Sequence, residues 1–165
     1  MFHEISGLVC FTIVLFTSCV TSQNNAIKIT GVELLDYGLL NNNFKEKVSK
    51  ANTATGQYNE SSGVEFYEKT THIIAQKGLT FGIKYRLIGE PAGNKVSLTF
   101  KIIHPPIKGK TSGHVKVTGT IDSWRSDFYS FDEEYELVEG EWIFQVYHQD
   151  NMLLEKSFTV SRQKV

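Results

Sequence analysis

The stretch Leu79–Leu87 reads LTFGIKYRL, and it decides the fold class. Large apolar residues at every second position alternate with polar residues or glycine, so one face of the segment is buried and the other is wet. The same period of two returns in Val96–Ile102 (VSLTFKI) and in Val115–Ile121 (VKVTGTI). Because this alternation is typical of antiparallel sheets with one solvated face, the three segments predict an all-β chain.

Further segments rich in apolar and aromatic residues complete the strand pattern. They cover residues 27–38, 63–75, 128–138, 141–148 and 154–161. About eight strands joined by short turns predict a two-sheet antiparallel sandwich, with an immunoglobulin-like arrangement favoured over a barrel. Residues 41–62 begin with three asparagines and are expected to form a long loop. The sandwich domain is expected to span residues 27–165.

Two hairpins can be aligned from the sequence near the C-terminus. The Glu-Gly pair at 139–140 predicts a two-residue turn that sets Leu137 opposite Trp142 and places Trp142 in the core. A three-residue loop at 150–152 then sets Trp142 opposite Val160. A two-residue loop there would place polar residues against the apolar face, because one residue of slip turns a whole strand face over.

Two charged residues fall at inward-facing positions of these hairpins. Glu133 lies in the inward series of residues 129–137, and Lys156 lies between Leu154 and Phe158. A lone inward carboxylate would be costly, so the register predicts that Glu133 and Lys156 compensate each other over the strand between them. The alternative is a bulge that turns Glu133 towards water.

The N-terminal sequence predicts that the protein is exported from the cytoplasm. Residues 5–18 read ISGLVCFTIVLFTS and carry no charge, and they are too short for a comfortable membrane span of about 20 residues. They suit the apolar segment of a secretory signal, and Ser18-Cys19 resembles a bacterial lipobox. Residues 1–18 are thus expected to be a lipoprotein signal, with Cys19 lipidated and residues 19–26 forming a tether. A plain cleaved signal peptide and a retained membrane anchor remain as alternatives.

The lipid on Cys19 would connect the protein to a membrane. Val20 stands where an inner-membrane retention signal would favour Asp, so we expect the outer membrane, facing the periplasm or at the surface. Without lipidation of Cys19 the protein would be secreted. Another envelope protein is an expected partner. Nucleic acid is not, because the formal net charge is only −1.

The sequence lacks the local motifs of the common catalytic and metal sites. It has no zinc-binding HExxH pair, no GxSxG elbow and no phosphate-cradling glycine loop. A calcium loop is also missing from the acidic run. We therefore expect no catalytic residues, no metal and no cofactor, and a non-catalytic binding or assembly role.

Two groups of residues are candidates for binding. The first comprises Trp124, Arg125 and Asp127 in a loop, together with Tyr147, because aromatic and charged side chains at a sandwich rim often hold sugars or peptides. These residues would support a carbohydrate- or peptide-binding module. The competing interpretation is that they complete the core.

The second candidate group is acidic. Asp132, Glu134 and Glu136 alternate along a predicted strand and would share its outer face. Such a row could bind a cation or a basic partner. The competing interpretation is a solvated edge that discourages sheet-to-sheet aggregation.

Several segments resemble a known bacterial family. They are Tyr37-Gly38, Leu79–Leu87, Ile103–Pro106, the acidic strand and turn Tyr135–Trp142, and Phe158–Val160. Together they are similar to the family catalogued as domain of unknown function 3859, over roughly residues 30–161. The resemblance implies a small β-sandwich in exported or surface-associated bacterial proteins, with no activity or catalytic residue to carry over.

Overall fold

The computed structural model describes residues 26–49 and 57–163, and the side chains of residues 26–41 and 63–163. Nine strands occupy this part of the chain. They are β1 Lys28–Ser49, β2 Gln57–Glu68, β3 His72–Ile74, β4 Thr80–Glu90, β5 Lys95–Ile107, β6 Lys110–Thr120, β7 Trp124–Ser130, β8 Gly140–His148 and β9 Asn151–Ser161. A single 3-10 turn, Glu134–Glu136, precedes β8. The predicted signal, Cys19 and all of the tether except Ala26 lie outside the described residues.

The strands form two sheets, as the alternation predicts. The first sheet has the order β2-β1-β4-β7, and the second has the order β3-β9-β8-β5-β6. Neighbouring strands are antiparallel except for the short β3, which pairs in parallel with the last three residues of β9. The predicted two-sheet sandwich is confirmed.

The core lies between the inward faces of the two sheets. The inward residues of β4 and β5 are buried: Phe81, Ile83, Tyr85 and Leu87 from β4, and Val96, Leu98, Phe100 and Ile102 from β5. Trp142 of β8 is fully buried, as predicted, and its ring centroid lies 5.7 Å from that of Phe81. Phe81 also stacks on Phe144 at 5.2 Å. Aromatic pairs at these distances stabilise the core beyond their buried area.

The predicted long loop at 41–62 is wrong. The backbone of β1 continues to Ser49 and pairs with β2 from Leu39↔Glu68 to Ser49↔Gln57, with several register shifts. The sequence shows no alternation there, so a period of two could not predict this pairing.

The predicted hairpin across residues 139–140 is also wrong. β7 ends at Ser130 and pairs with β4 of the first sheet, while β8 belongs to the second sheet. Residues 131–139 connect the two sheets and include the 3-10 turn. Leu137 therefore does not pair with Trp142. Alternation specifies which face of a strand is buried but does not specify which strand pairs with it.

The predicted β8–β9 hairpin is present, and the predicted side chains point inwards, but the register of the two strands differs from the predicted one. His148 pairs with Asn151 around the two residues 149–150, and Leu153 is left unpaired in a bulge before Val146↔Leu154. Trp142 consequently lies opposite Phe158, not Val160. Because the register differs from the predicted one by two residues, the same side chains still point inwards.

Candidate functional site

An exposed tryptophan stands on the outer face of the first sheet. Trp124 begins the edge strand β7 and is 58% exposed. It lies opposite Arg86 of β4, and the Lys84 ammonium lies 4.4 Å from its ring centroid. A cation at this distance is attracted to the ring face. At an exposed site such a contact contributes about 0.5–1 kcal/mol, which favours the observed orientation of the ring.

Charged and apolar residues surround this tryptophan. Arg86 donates to Glu33 of β1 at 2.7 Å, and both side chains are about half exposed. Ile88, one step further along the outer face of β4, is 39% exposed. We call Trp124, Lys84, Arg86, Glu33 and Ile88 the Trp124 patch. It combines one large aromatic surface with an ion pair and an apolar residue.

A buried ion pair lies beneath the patch. Asp127 is fully buried on the inward face of β7, and it accepts hydrogen bonds from Arg125 Nε at 3.0 Å and Arg125 Nη2 at 2.7 Å. Tyr85 of β4 donates its hydroxyl to Asp127 at 2.7 Å. Arg125 Nη1 also donates to the Thr118 carbonyl of β6, at 3.0 Å. These charge-assisted bonds connect the edge strand to β4 and to the opposite sheet.

The structure thus divides the first predicted binding group. Trp124 points outwards, whereas Arg125 and Asp127 point inwards and bond each other. Tyr147 lies on the second sheet, where its hydroxyl donates to Gln145 Oε1 at 3.0 Å and Gln145 donates to Glu155 at 2.7 Å. The four residues therefore do not converge on one site.

The acidic row predicted from Asp132, Glu134 and Glu136 does not exist. These residues belong to the connection between β7 and β8, and Glu136 is almost fully buried. Its Oε2 accepts a hydrogen bond from the Asp132 backbone N–H at 2.8 Å. Burial raises the pKa of Glu136, partly offset by this bond. The Glu136 carboxyl group thus bonds within the connection at the end of the sandwich. Because Glu136 is buried while Glu134 is exposed, the three residues cannot form one outer row.

Glu133 and Lys156 are not partners either. Glu133 is exposed and lies 3.4 Å from the Lys77 ammonium. Lys156 lies opposite Phe144 and places its ammonium 3.7 Å from the ring centroid of Tyr37. The predicted compensation fails because residue 133 lies in the connection, so no strand places it in the row of Lys156.

A second group of ionisable residues is buried around Trp142. The His104 ring lies 5.1 Å from the Trp142 ring and its Nδ1 lies 2.7 Å from the Pro105 carbonyl. Burial lowers the pKa of His104, with a smaller opposing effect of that bond. Burial, then the nearby Glu136 charge, raises the pKa of Tyr129, whose ring lies 4.8 Å from Trp142. In both groups burial favours the neutral form of the side chain.

Some classes of site are not present in the part of the chain that the structure describes. Residues 26–41 and 63–163, whose side chains the structure describes, contain no group of three or more His, Cys, Asp or Glu placed to hold a metal ion. In the described backbone, residues 26–49 and 57–163, no helix has the length and apolar character needed to cross a bilayer.

The candidate residues chosen from the sequence did not include three members of the patch, Lys84, Arg86 and Glu33. The first two are the polar residues that alternate with the apolar ones in LTFGIKYRL, so their outward direction was visible in the sequence. Their position beside Trp124 depends on the pairing of β4 with β7, across some 40 residues of chain. No local pattern in the sequence predicts the pairing of β4 with β7.

Comparison with known proteins places the chain among proteins of the same fold. A family model described as Domain of unknown function (DUF3859) matches residues 29–160. The solved structure of an immunoglobulin-like protein from Pseudomonas aeruginosa is 26% identical to this chain. The aligned region covers 82% of this chain and 96% of the Pseudomonas protein, with a TM-score of 0.51. None of the curated proteins matches the chain.

Proposed function

This chain belongs to the family described as domain of unknown function 3859, and from that premise we propose that it is a lipid-anchored, non-catalytic binding protein of the bacterial cell envelope. The observation that carries the binding role is the Trp124 patch. It presents a largely exposed tryptophan from a regular strand, and the strand is held from below by a buried ion pair.

The rigidity of the patch supports a binding role. Tryptophan and arginine are the residues most enriched among those that dominate binding energy at interfaces. A side chain that is already ordered loses little conformational freedom when a ligand binds. Trp124 meets this condition because the Lys84 ammonium lies over its ring and because β7 is tied to β4 through Asp127.

The buried ionisable groups support a non-catalytic role. His104, Tyr129 and Glu136 each lie within the core or the connection that closes it, and their pKa values move in the direction that favours the neutral form. Such groups are suited to packing rather than to exchanging protons with a substrate.

The anchor rests on the sequence of the N-terminus. Growth with a labelled fatty acid is expected to label the wild-type protein and not the Cys19→Ser variant. Envelope fractionation of the wild type should then recover the protein with the outer membrane. Equal labelling of both proteins would refute the anchor at Cys19.

The binding role is tested separately from the anchor. Pull-down from envelope extracts is expected to recover a partner protein with the wild type and to lose it with Trp124→Ala. The matched control is Tyr67→Ala, since Tyr67 is an aromatic residue of similar exposure (54%) on the other edge strand of the same sheet. Equal loss with both variants, or with neither, would contradict a role for the patch.

A carbohydrate or peptide ligand is the second candidate. It is favoured by the Trp124 ring, whose flat apolar surface adjoins the charged hydrogen-bonding groups of Arg86 and Glu33. Binding on a glycan array or to a peptide library, lost in Trp124→Ala and kept in Tyr67→Ala, would select this function over assembly with an envelope protein.

A further inference from the structure

One lysine points towards the inside of the sandwich and has no carboxylate partner among the side chains that the structure describes. Lys156 of β9 belongs to the inward row of Leu154 and Phe158, and its side chain is part-buried. It forms no ion pair with any residue whose side chain the structure describes. Partial burial of an ammonium group without a counter-ion is costly. This position therefore calls for a compensating group.

A tyrosine and a second lysine lie at the same place. The ring of Tyr37, on β1, has the Lys156 ammonium 3.7 Å and the Lys69 ammonium 5.2 Å from its centroid. Lys69 lies in the crossover between β2 and β3 and likewise forms no ion pair with the described side chains. Three separate segments, one from each sheet and one between them, thus bring two cations to one ring.

Gly38 makes this arrangement sterically accessible. Its φ is +124°, and a Cβ at this position would lie 2.1 Å from the Glu68 carbonyl oxygen and 2.7 Å from the Thr70 N. Only glycine fits both the angle and the space. The crossover can therefore pass directly over β1, and this close approach brings Lys69 beside Tyr37.

Two ammonium groups at one ring attract an anion. Because both distances are measured to the same centroid, the two nitrogens lie within about 9 Å of each other, and the ring attracts cations but does not neutralise them. A phosphate oxygen accepts charge-assisted hydrogen bonds of about 2.7–2.9 Å. The flexible four-carbon stems of lysine allow both nitrogens to approach one tetrahedral anion.

We propose that Tyr37, Lys69 and Lys156 form a binding site for a phosphate group at the side of the sandwich. The site is distinct from the Trp124 patch, which lies on the outer face of the first sheet. The phosphate would belong either to a soluble phosphate-bearing compound or to a phospholipid headgroup. In both cases it supplies the negative charge that Lys156 lacks.

Titration with phosphate at constant ionic strength tests the site. Backbone amide resonances of the protein are followed while sodium phosphate replaces sodium chloride. We expect saturable shifts centred on residues 36–38, 69 and 156. Lys69→Met and Lys156→Met should each weaken the affinity about tenfold, since each removes one charged donor. The tailless headgroup glycerophosphoglycerol is titrated separately, and preference for it over inorganic phosphate assigns the lipid source.

Two other lysines serve as matched controls. Lys116 is exposed like Lys69, and Lys101 is part-buried like Lys156, but both face outwards from β6 and β5, two strands that do not pair with β9. Lys116→Met and Lys101→Met should bind phosphate as the wild type does. Should Lys156→Met not fold, the exposed Lys69→Met decides the test. Shifts that do not saturate, or equal weakening by the control variants, would overturn the site.

Discussion

Removal of the Asp127 carboxylate is expected to destabilise the protein severely. Asp127 is fully buried and accepts hydrogen bonds from Arg125 and from the Tyr85 hydroxyl. In Asp127→Ala the guanidinium of Arg125, whose side chain is 23% exposed, would lose its carboxylate partner and keep its bond to the Thr118 carbonyl, while the Tyr85 hydroxyl would lose the carboxylate that it donates to. Loss of one partner of a buried ion pair costs about 3–5 kcal/mol. We expect a decrease of this size in the free energy of unfolding.

The chain provides a matched control for this prediction. Glu33 and Arg86 form an ion pair with the same 2.7 Å separation, but both side chains are about half exposed. Exposed pairs contribute about 0–1 kcal/mol because water solvates the separated charges. Glu33→Ala should therefore decrease the free energy of unfolding by less than about 1 kcal/mol. Because the N–O distance is 2.7 Å in both ion pairs, the difference in stability between the two variants measures the effect of burial.

Urea denaturation followed by tryptophan fluorescence measures both variants. The double variant Asp127→Leu with Arg125→Met should lose much less stability than Asp127→Ala, because it leaves no uncompensated buried charge. A loss below about 1 kcal/mol for Asp127→Ala would refute the reasoning. It would mean that the network is open to solvent, and Arg125 and Asp127 would again be candidates for ligand binding.

Three further predictions concern the core. Trp142→Ala should decrease the free energy of unfolding by about 3–5 kcal/mol in the same assay, whereas Trp124→Ala, at an exposed site, should change it by less than about 0.5 kcal/mol. Because burial lowers the pKa of His104 below 6.5, the unfolded state binds protons more readily. Stability should therefore fall as the pH decreases below 6.5, and thermal melts across this range should show a weaker dependence in His104→Phe. Gly82→Ala should destabilise the protein by about 1–3 kcal/mol, since its Cβ would lie 2.5 Å from the Asp127 carbonyl oxygen. Gly31→Ala, with nothing within 4 Å of the added atom, should unfold in urea much like the wild type.

The candidate sites show where local sequence information ends. Trp124 could be chosen from the sequence because an aromatic residue beside charged ones near a turn is a recognisable pattern. Its neighbours Lys84 and Glu33 come from strands far away in the chain, so only their common sheet brings them together. The pair of lysines at Tyr37 was still less predictable, because the close crossover at Gly38 requires β2 and β3 to lie in different sheets.

By itself, the sequence determined which residues of the core strands face inwards. A period of two encodes the buried face, and Trp142 is buried even though its predicted partner was two residues away from the true one. The pairing of β8 with β9 was also predicted, but the tertiary structure decided the partner of β7. Residues 128–138 have the composition of one long strand, but β7 pairs with β4, and the chain then leaves the sheet and buries Glu136 at the end of the core. Backbone hydrogen bonds are the same for every partner strand, so the choice depends on packing between segments distant in sequence.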